Sequence, residues 1–330
     1  MEDNVTRVLL ALWHARDRQA PAISHLIQET GLPLPQIQQA LETLESRGCT
    51  LQRSPAGVAL VATSMTCWRD VLEEHARRRG YSLGRQVMVY SQTTSTNDIA
   101  WEHANGANAN GLVVLADEQT AGRGRPGHLW AAQPGQSILL SLVKTGAPAR
   151  ELNRLTLLVG LATARAIERV LESAGQPARG VEIKWPNDIL VGGCKIAGIL
   201  VERRAHAEGP APVVIGIGIN VFQSAMDFPA ELRDKASSLK KAGSPIADRL
   251  DAVVALLDEL APYLNVPPAD SSWIAEWKNY CTLLGKLVTI RSGAQTVTGH
   301  VLDISPLHGL LVKDATGAQH FLSAQTSSLL

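Results

Sequence analysis

Hydrophobic and polar positions in residues 1–67 repeat first with the spacing of helices and then with that of a hairpin. A first helix is predicted over residues 5–16 from apolar positions three or four apart, at Val5, Val8, Leu9 and Leu12. We expect Ser24 to cap a second helix and Pro35 to open a third. A short hairpin then follows, over residues 50–53 and 58–62. Three helices and a hairpin predict a winged helix-turn-helix, which can place its last helix in a DNA major groove or serve as a structural or regulatory module.

The central part of the chain combines apolar runs of strand length with one long apolar helix. Strands are predicted at residues 86–90, 112–116, 137–143, 183–185, 188–191, 195–201 and 213–221. The helix over 155–174 is apolar on most faces, so we expect it to be buried. Gly192 and Gly193 separate two apolar runs and predict a hairpin turn. This pattern indicates a mixed α/β core.

Beyond two further helices, predicted over 247–264 and 273–284, the pattern changes to strict alternation from Lys286 onward. Alternating positions separated by glycine-containing turns predict a small β-barrel of SH3-like size. The predicted fold class is therefore α+β. Its predicted parts are a winged helix-turn-helix (1–67), a central mixed-sheet α/β domain (68–276) and an SH3-like β-barrel (277–330).

Composition excludes several classes of protein. The net charge is +0, with 45% hydrophobic and 19% charged residues, so the overall field steers the chain to neither nucleic acid nor membrane. Four isolated cysteines without a CxxC pair predict no zinc ribbon and no redox motif, and we predict no metal site. An acidic start and the lack of an 18-residue apolar run lead us to expect a cytoplasmic protein without a signal peptide or membrane span.

Residues 119–130 hold three glycines and a proline, which exclude a regular helix or an interior strand. Arg123, Arg125 and Trp130 therefore lie on a mobile loop that follows a buried strand. Guanidinium groups on such a loop suit closure over a carboxylate or a phosphate. A solvated surface loop is the alternative interpretation.

A second candidate region runs from residue 184 to residue 202. Lys195 follows the glycine turn at the start of a strand, where a lysine usually reaches for solvent but here precedes Gly198, a position that allows close approach of a ligand. Asn187 and Asp188 follow a proline at a strand entry, which is typical of site residues and of ordinary turns.

Two further segments carry polar groups or glycines next to predicted secondary structure. Residues 95–98 precede a helix, so their hydroxyls and amide either cap it or hydrogen-bond a neutral polar head such as a ureido ring. Residues 214–221 are glycine-rich but lack the third glycine and the following helix of a dinucleotide fingerprint. No GxxxxGK[ST] occurs, so a P-loop is excluded.

Five motifs in this order resemble those of the biotin–protein ligases over about residues 85–325. They are TSTND (94–98), GRGRPGHLW (122–130), KWPND (184–188), KIAGILVE (195–202) and VIGIGINV (214–221). The N-terminal region is similar to that of the bifunctional kind, which is both ligase and biotin operon repressor. The resemblance implies a class II synthetase-like central domain that joins biotin to ATP, holds biotinyl-adenylate and transfers biotin to a lysine.

The resemblance also assigns roles, residue by residue. It implies a biotin pocket made of Ser95, Thr96, Asn97, Gln119, Gly122, Arg123, Gly124, Arg125 and Lys195. It implies a nucleotide side made of Trp130, Asn187, Gly198 and Asn220. Lys195, Arg125 and Asp188 would be catalytic, with Lys195 stabilising charge and Asp188 orienting or deprotonating the acceptor lysine. ATP with Mg²⁺ and biotin are the expected substrates, and the biotin carboxyl carrier protein of acetyl-CoA carboxylase is the expected partner.

The sequence departs from the pattern of this family at three places: the arginine loop, the C-terminal end and the third helix. Pro126 and His128 stand where relatives often carry basic residues, and the chain ends in Ser327-Ser328-Leu329-Leu330 where relatives often have serine-leucine-arginine. The third helix offers Gln36, Gln38 and Gln39, which could read adenine edges of operator DNA or form an ordinary wet face. Residues 1–67 carry five arginines and six acidic residues, which gives a net charge of −1 and predicts few contacts with DNA phosphates. A homodimer would double the number of these contacts.

Two rival functions are consistent with parts of the sequence. A lipoate–protein ligase-like enzyme shares the central architecture, but KWPND together with the arginine loop favours biotin. A biotin-sensing DNA-binding regulator without ligase activity would have no need for Lys195 and the two loop arginines, which this chain carries.

Overall fold

The N-terminal region of the computed structural model consists of three helices and a two-stranded antiparallel hairpin. They are α1 (Asn4–Ala15), α2 (Ile23–Thr30), α3 (Leu34–Ser46), β1 (Thr50–Ser54) and β2 (Gly57–Ala62). The structure describes residues 3–16, 20–125, 129–173, 180–204, 211–265 and 272–330. The predicted Ser24 cap is wrong, because α2 begins at Ile23 after Ala22 and Ser24 lies inside its first turn. The specific assignment of these elements to a winged helix-turn-helix stays a prediction.

Helix α4 (Trp68–Arg79) connects this region to the core and ends at Gly80, which adopts the left-handed conformation. Thr63, just before it, donates from both its backbone N–H and its hydroxyl to the Asp248 carboxylate, at 2.5 and 2.6 Å. The hydroxyl of Thr63 also accepts from the indole of Trp68. These bonds join the end of the hairpin to the core of the protein.

The core is a seven-stranded mixed sheet, as the apolar runs predict. In spatial order its strands are β3 (Val87–Thr93), β4 (Val113–Gln119), β5 (Ser137–Lys144), β9 (Val213–Asn220), β8 (Cys194–Arg203), β7 (Asp188–Val191) and β6 (Val181–Lys184). Only the β3–β4 pair is parallel. The predicted turn at Gly192 and Gly193 joins β7 to β8, with both glycines at positive φ.

The two faces of the sheet are covered by different helices. On one face, isoleucines such as Ile215 and Ile217 belong to the main core, together with residues of α6 (Leu152–Glu172) and α7 (Arg249–Asn265). Burial of α6 confirms what its apolar faces predict. On the other face, Val214 packs with Ala100 of α5 (Thr96–His103). Because side chains alternate along a strand, Gly216 and Gly218 lie on the α5 face with Val214.

The last part of the chain forms helix α8 (Ser272–Tyr280) and a five-stranded antiparallel sheet. In spatial order the strands are β13 (Gln319–Leu322), β12 (Gly309–Asp314), β11 (Gln295–Ser305), β10 (Leu287–Ser292) and β14 (Ser327–Leu329). Helix α8 ends four residues before the predicted Leu284. Within the described strands, β13 and β14 are the edges and do not pair with each other. The sheet is thus open by its hydrogen bonds, and a closed SH3-like barrel stays a prediction.

No helix in the described ranges is both long enough and apolar enough to cross a membrane.

Candidate active site

A cavity of about 340 Å³ lies on the α5 face of the central sheet. Its size falls within the usual range of small-molecule sites. Most of the predicted site residues line it: Ser95, Thr96, Asn97, Gln119, Arg123, Gly124, Arg125, Trp130, Asn187, Asp188, Lys195 and Gly198. The fold therefore brings together motifs that are separated by up to about a hundred residues of sequence.

Strand β9 makes room for this cavity by carrying glycine at two successive positions of the α5 face. A Cβ atom at Gly216 would lie 2.5 Å from Asn97 Oδ1, and one at Gly218 would lie 2.5 Å from the ring of Trp130. Both distances are far below van der Waals contact. The glycine-rich strand is thus explained by two side chains that lie directly against it, and not by a phosphate loop.

Gly198 of β8 is the register partner of Gly218, so the two glycines form a flat floor across neighbouring strands. The indole of Trp130 lies on this floor, since a Cβ atom at Gly198 would be 2.9 Å from its ring. The sequence predicts that Gly198 allows close approach of a ligand. In the structure, the group that approaches is Trp130, whose buried Nε1 has no hydrogen-bond partner.

A hydrogen-bond network joins the start of α5 to β4 and β5. Gln119 Oε1 accepts from the backbone N–H of Thr96 at 2.7 Å and from its hydroxyl at 3.0 Å. The Ser141 hydroxyl contacts Thr96 Oγ1 at 2.7 Å and Asn97 Oδ1 at 2.5 Å. Ser95 occupies the N-cap position of α5, but its side chain makes no capping bond. Its hydroxyl, in a residue that lines the cavity, is therefore not committed to the helix end.

Lys195 and Asp188 form an ion pair on the cavity wall, with Lys195 Nζ 2.6 Å from Asp188 Oδ1. The same ammonium lies 5.6 Å from the centroid of the Trp130 ring, within cation–π range. Lys195 is held in place by its backbone, whose N–H donates to Lys235 O and whose carbonyl accepts from Ser237 N–H. A cation, a carboxylate and an aromatic face therefore meet at one side of the cavity.

The two loop arginines have different partners. Arg123 makes two bonds to Asp98, at 2.7 and 2.8 Å, and this contact lowers the pKa of the Asp98 carboxyl. Arg125 instead donates to the carbonyl of Ser327 in β14, at 2.6 Å. Burial lowers the pKa of the Arg125 guanidinium, opposed by the nearby Asp188 carboxylate. Arg123 thus ties the loop to α5, whereas Arg125 ties it to the C-terminal strand.

The base of the loop is closed by backbone contacts. Arg123 and Leu129 form an isolated antiparallel bridge, and Trp130 N–H donates to Gly122 O at 3.0 Å. A Cβ atom at Gly122 would lie 2.6 Å from Trp130 O, so this glycine permits the closure rather than lining the cavity. Residues 126–128, including Pro126 and His128, lie outside the described part of the chain.

The structure separates the two asparagines predicted on the nucleotide side. Asn187 lines the cavity and donates from Nδ2 to Ile199 O at 2.8 Å, which joins β7 to β8. Asn220 is buried elsewhere and donates to Ser237 O at 2.9 Å. Asn220 therefore bonds to the segment that follows β9 and does not line the cavity.

Several residues of the site are missing from the predicted set. The additional lining residues include Leu139, Lys184, Trp185, Gly216, Gly218, Ser328 and Leu329. The alternation of isoleucine and glycine in β9 could have identified Gly216 and Gly218, because it leaves one face of the strand without side chains. Ser328 and Leu329 have no such signal in their local sequence. They reach the cavity through tertiary contacts, such as the bond from Arg125 to Ser327 O across about two hundred residues.

Among the described residues, no group of three or more His, Cys, Asp or Glu side chains is arranged to hold a metal ion.

The candidate DNA-reading residues lie on the N-terminal region. Gln36, Gln38 and Gln39 are exposed on one side of α3, and Gln36 accepts a bond from Asn4. Three arginines of this region are engaged within the protein: Arg7 with Thr30 O, Arg16 with Asp251 and Arg53 with Glu45. The described residues of this region therefore present an exposed polar helix face and three arginines that are already paired within the protein.

Comparison with known proteins agrees with the fold of the central domain. Residues 89–220, which hold most of the cavity lining, match the biotin/lipoate A/B protein ligase family. Because relatives at least 34% identical are also matched over about three quarters of their length or more, the chain belongs to this family.

Individual relatives extend the match along the chain. Over 247 residues, 73% of this chain and 74% of the relative, it is 34% identical to the bifunctional ligase/repressor BirA of Bacillus subtilis. It is 36% identical to the biotin–[acetyl-CoA-carboxylase] ligase of Mycobacterium tuberculosis, over 73% of this chain and 87% of that protein. Among solved structures, the biotin protein ligase of Aquifex aeolicus in complex with biotin and ATP matches with a TM-score of 0.62 and 25% identity, over 74% of this chain and 99% of that one.

Proposed function

We propose that this protein is a biotin–protein ligase that activates biotin with ATP and transfers it to a lysine of a biotin-carrying protein. The observation that carries the proposal is the cavity itself, where a neutral hydrogen-bonding end meets a cationic end over a glycine floor. The relatives named as ligases and the solved complex with biotin and ATP support the same activity.

The neutral end is suited to the ureido ring of biotin. Ser95, Thr96, Asn97 and Gln119, which line the cavity, offer uncharged hydroxyl and amide groups. A ureido ring has one carbonyl acceptor and two N–H donors, so it needs both kinds of partner. A buried site of this kind discriminates strongly against a ligand that lacks those groups.

The cationic end is suited to activation. A carboxylate oxygen of biotin attacks the α-phosphorus of ATP, the bond to the bridging oxygen breaks, and pyrophosphate leaves with that electron pair. Lys195 would exchange its bond with Asp188 for the biotin carboxylate and the α-phosphate oxygens, where negative charge grows. Arg125 would add a second cation as the loop closes and excludes water from the mixed anhydride.

Transfer then needs an acceptor lysine and a base. The lysine nitrogen attacks the acyl carbon, AMP leaves, and one proton must be taken from the nitrogen. Asp188 lines the cavity and is released when Lys195 turns to the substrates, so we assign it this role. The carrier we propose is the biotin carboxyl carrier protein of acetyl-CoA carboxylase.

The nucleotide is assigned to the side of the cavity that holds Trp130, Asn187 and Gly198. Trp130 offers an aromatic face and an unpaired Nε1, next to the glycine floor. Mg²⁺ would enter with ATP as part of the substrate complex, since it is commonly bound through one or two carboxylates and substrate phosphates.

Two alternative functions, a lipoate ligase and a biotin-sensing regulator, can be distinguished from a biotin ligase by this site. Lipoate has no ureido ring, so a lipoate ligase has no use for the two amides of Asn97 and Gln119 at the head of the pocket. A regulator that only senses biotin has no use for a cation paired with a carboxylate on the cavity wall.

The finer organisation of the chain is part of the same proposal. We assign residues 1–67 to a winged helix-turn-helix, 68–276 to the catalytic domain and 277–330 to an SH3-like domain. The exposed glutamines of α3 and the relative named as a ligase/repressor favour an additional role in repression, exerted as a homodimer.

The activation step is tested by biotin-dependent exchange of labelled pyrophosphate into ATP. We expect exchange with biotin and none with lipoate. Exchange with lipoate but not with biotin would assign the protein to the lipoate branch, and no exchange with either would overturn the proposal.

A further inference from the structure

The orientation of the Asn97 amide is determined by its neighbours. Asn97 is 4% exposed and donates from Nδ2 to Glu202 Oε2 at 2.7 Å. A carboxylate can only accept, so the nitrogen of the amide must face Glu202. The oxygen of the same amide then faces Ser141 and Gly216, the cavity side of β9.

Gln119 is oriented in the same way by a group of opposite polarity. The backbone N–H of Thr96 can only donate, so Gln119 must present Oε1 to it. Two amides at the head of the cavity are therefore each fixed by a partner that cannot reverse its role. The order of donors and acceptors in this pocket is set before any ligand enters.

The oxygens of this network outnumber the hydrogens between them. Three contacts join Gln119 Oε1, Thr96 Oγ1, Ser141 Oγ and Asn97 Oδ1, and only the two hydroxyls supply protons. One of these three oxygen–oxygen contacts is thus left without a hydrogen. A ligand with N–H groups, as a ureido ring has, is suited to such a network.

We propose that Glu202 is a positioning residue for biotin: it holds Asn97 Nδ2 and so presents Asn97 Oδ1 as the acceptor for a ring N–H. The inference rests on the proposed function. Glu202 lies on β8 beside the row formed by Ser141, Gly216 and Leu200, and Arg123 lies 4.0 Å from its carboxylate. A charge-assisted bond is stronger than a neutral one, which suits a residue that must fix an amide.

The test compares two substitutions of Glu202 by steady-state kinetics. Glu202→Met keeps the length of the side chain and removes the acceptor, whereas Glu202→Gln keeps an acceptor oxygen. For Glu202→Met we expect KM for biotin to rise roughly 10- to 150-fold, as for loss of a hydrogen bond to a charged group, with kcat and KM for ATP unchanged. Glu202→Gln should restore KM for biotin to within about threefold of the wild type.

Glu118→Met is the matched control. Glu118 also accepts from an amide on this sheet, Gln92 Nε2 at 2.8 Å, but Gln92 does not line the cavity, whereas Asn97 does. A general effect of losing a carboxylate–amide pair would appear in both methionine variants. We expect Glu118→Met to leave KM for biotin at the wild-type value.

Ser141→Ala provides a second test of the inference, which can be made even if Glu202→Met does not fold. Ser141 is fully buried and contacts the other end of the same amide, so its loss should also raise KM for biotin and not KM for ATP. Because both residues act on Asn97, the double variant should show less than the sum of the two effects.

Unchanged KM for biotin in both Glu202→Met and Ser141→Ala, or equal rises for biotin and ATP, would overturn the inference while leaving the proposed function intact. A wild-type protein without biotin-dependent pyrophosphate exchange would overturn the proposed function, and this inference with it.

Discussion

Lys195 Nζ lies 2.6 Å from Asp188 Oδ1, so the cation of the cavity and its candidate base are one ion pair. In the proposed reaction the two residues act in different half-reactions. Lys195 stabilises charge as biotin attacks ATP, and Asp188 accepts a proton during transfer. Substitution of each should therefore affect a different step.

Lys195→Ala should lower the rate of pyrophosphate release about 10²- to 10³-fold, as for removal of one group that stabilises transition-state charge. Asp188→Asn should retain pyrophosphate release within about tenfold, whereas transfer from preformed biotinyl-adenylate falls about 10²- to 10⁴-fold. Single-turnover assays of each half-reaction measure both rates.

Lys240→Ala, a change at an exposed lysine outside the cavity, serves as the control for both variants. A folded Lys195→Ala protein with wild-type pyrophosphate release would contradict the role of Lys195. Equal loss of both half-reactions in Asp188→Asn would show that Asp188 is needed for activation as well.

Arg125→Gly should make biotinyl-adenylate but fail to retain it. Arg125 bonds to Ser327 O and so joins the loop to the C-terminal strand that lines the cavity. Without this contact we expect the loop to open and the reactive anhydride to diffuse away. The measurement is biotinylation of an added bystander protein, with Arg85→Gly, at an exposed arginine outside the cavity, as the control. Labelling confined to the carrier would argue against retention by Arg125.

Substitutions at two glycines of β9 should affect the biotin end and the nucleotide end of the cavity independently. A methyl group at Gly216 must displace Asn97, and one at Gly218 must displace Trp130. Overpacking of this kind costs about 1–3 kcal/mol, equivalent to roughly 5- to 150-fold in KM. We expect Gly216→Ala to raise KM for biotin and Gly218→Ala to raise KM for ATP.

Gly160→Ala is the control for these variants, because its added Cβ would meet Trp277 at an ordinary 3.8 Å. If both β9 variants raised the two KM values equally, the cavity would not be divided in the way we propose.

Residues 1–67 should bind DNA weakly as a monomer and more tightly when biotin and ATP promote a homodimer. Among the described residues of this region, Arg7, Arg16 and Arg53 are engaged within the protein, so these three arginines are not free to neutralise phosphates. A dimer doubles the contacts, and whatever favours the dimer favours the DNA complex. A gel shift on the promoter of the organism's biotin genes measures this. No shift at micromolar protein with both ligands would remove repression from the proposal, and a tight shift without ligands would contradict the dimer switch.

The sequence predicts the elements of this protein well because their signals are local. Apolar runs identify the strands of the sheet, and Gly192 with Gly193 identifies the turn before Lys195. The fold then accounts for why five separated motifs line one cavity. Helix ends are less certain, as Ser24 illustrates, because α2 begins after Ala22 without any side-chain cap.

The pairings inside the cavity could not be predicted from the sequence. Arg123 and Arg125 are two residues apart, yet one contacts Asp98 and the other contacts Ser327. Glu202 belongs to a recognised motif, but its contact with Asn97 spans 105 residues. Such contacts depend on strand register, which one sequence does not specify residue by residue.

The most direct test of the account is transfer of biotin to a carrier. The protein is incubated with ATP, biotin and a biotin carboxyl carrier domain, and the product is read by streptavidin blot and intact mass. We predict one covalently attached biotin per carrier, dependent on ATP and lost when the acceptor lysine is changed to arginine. A carrier that stays unmodified, or one that receives lipoate instead of biotin, would contradict the central claim.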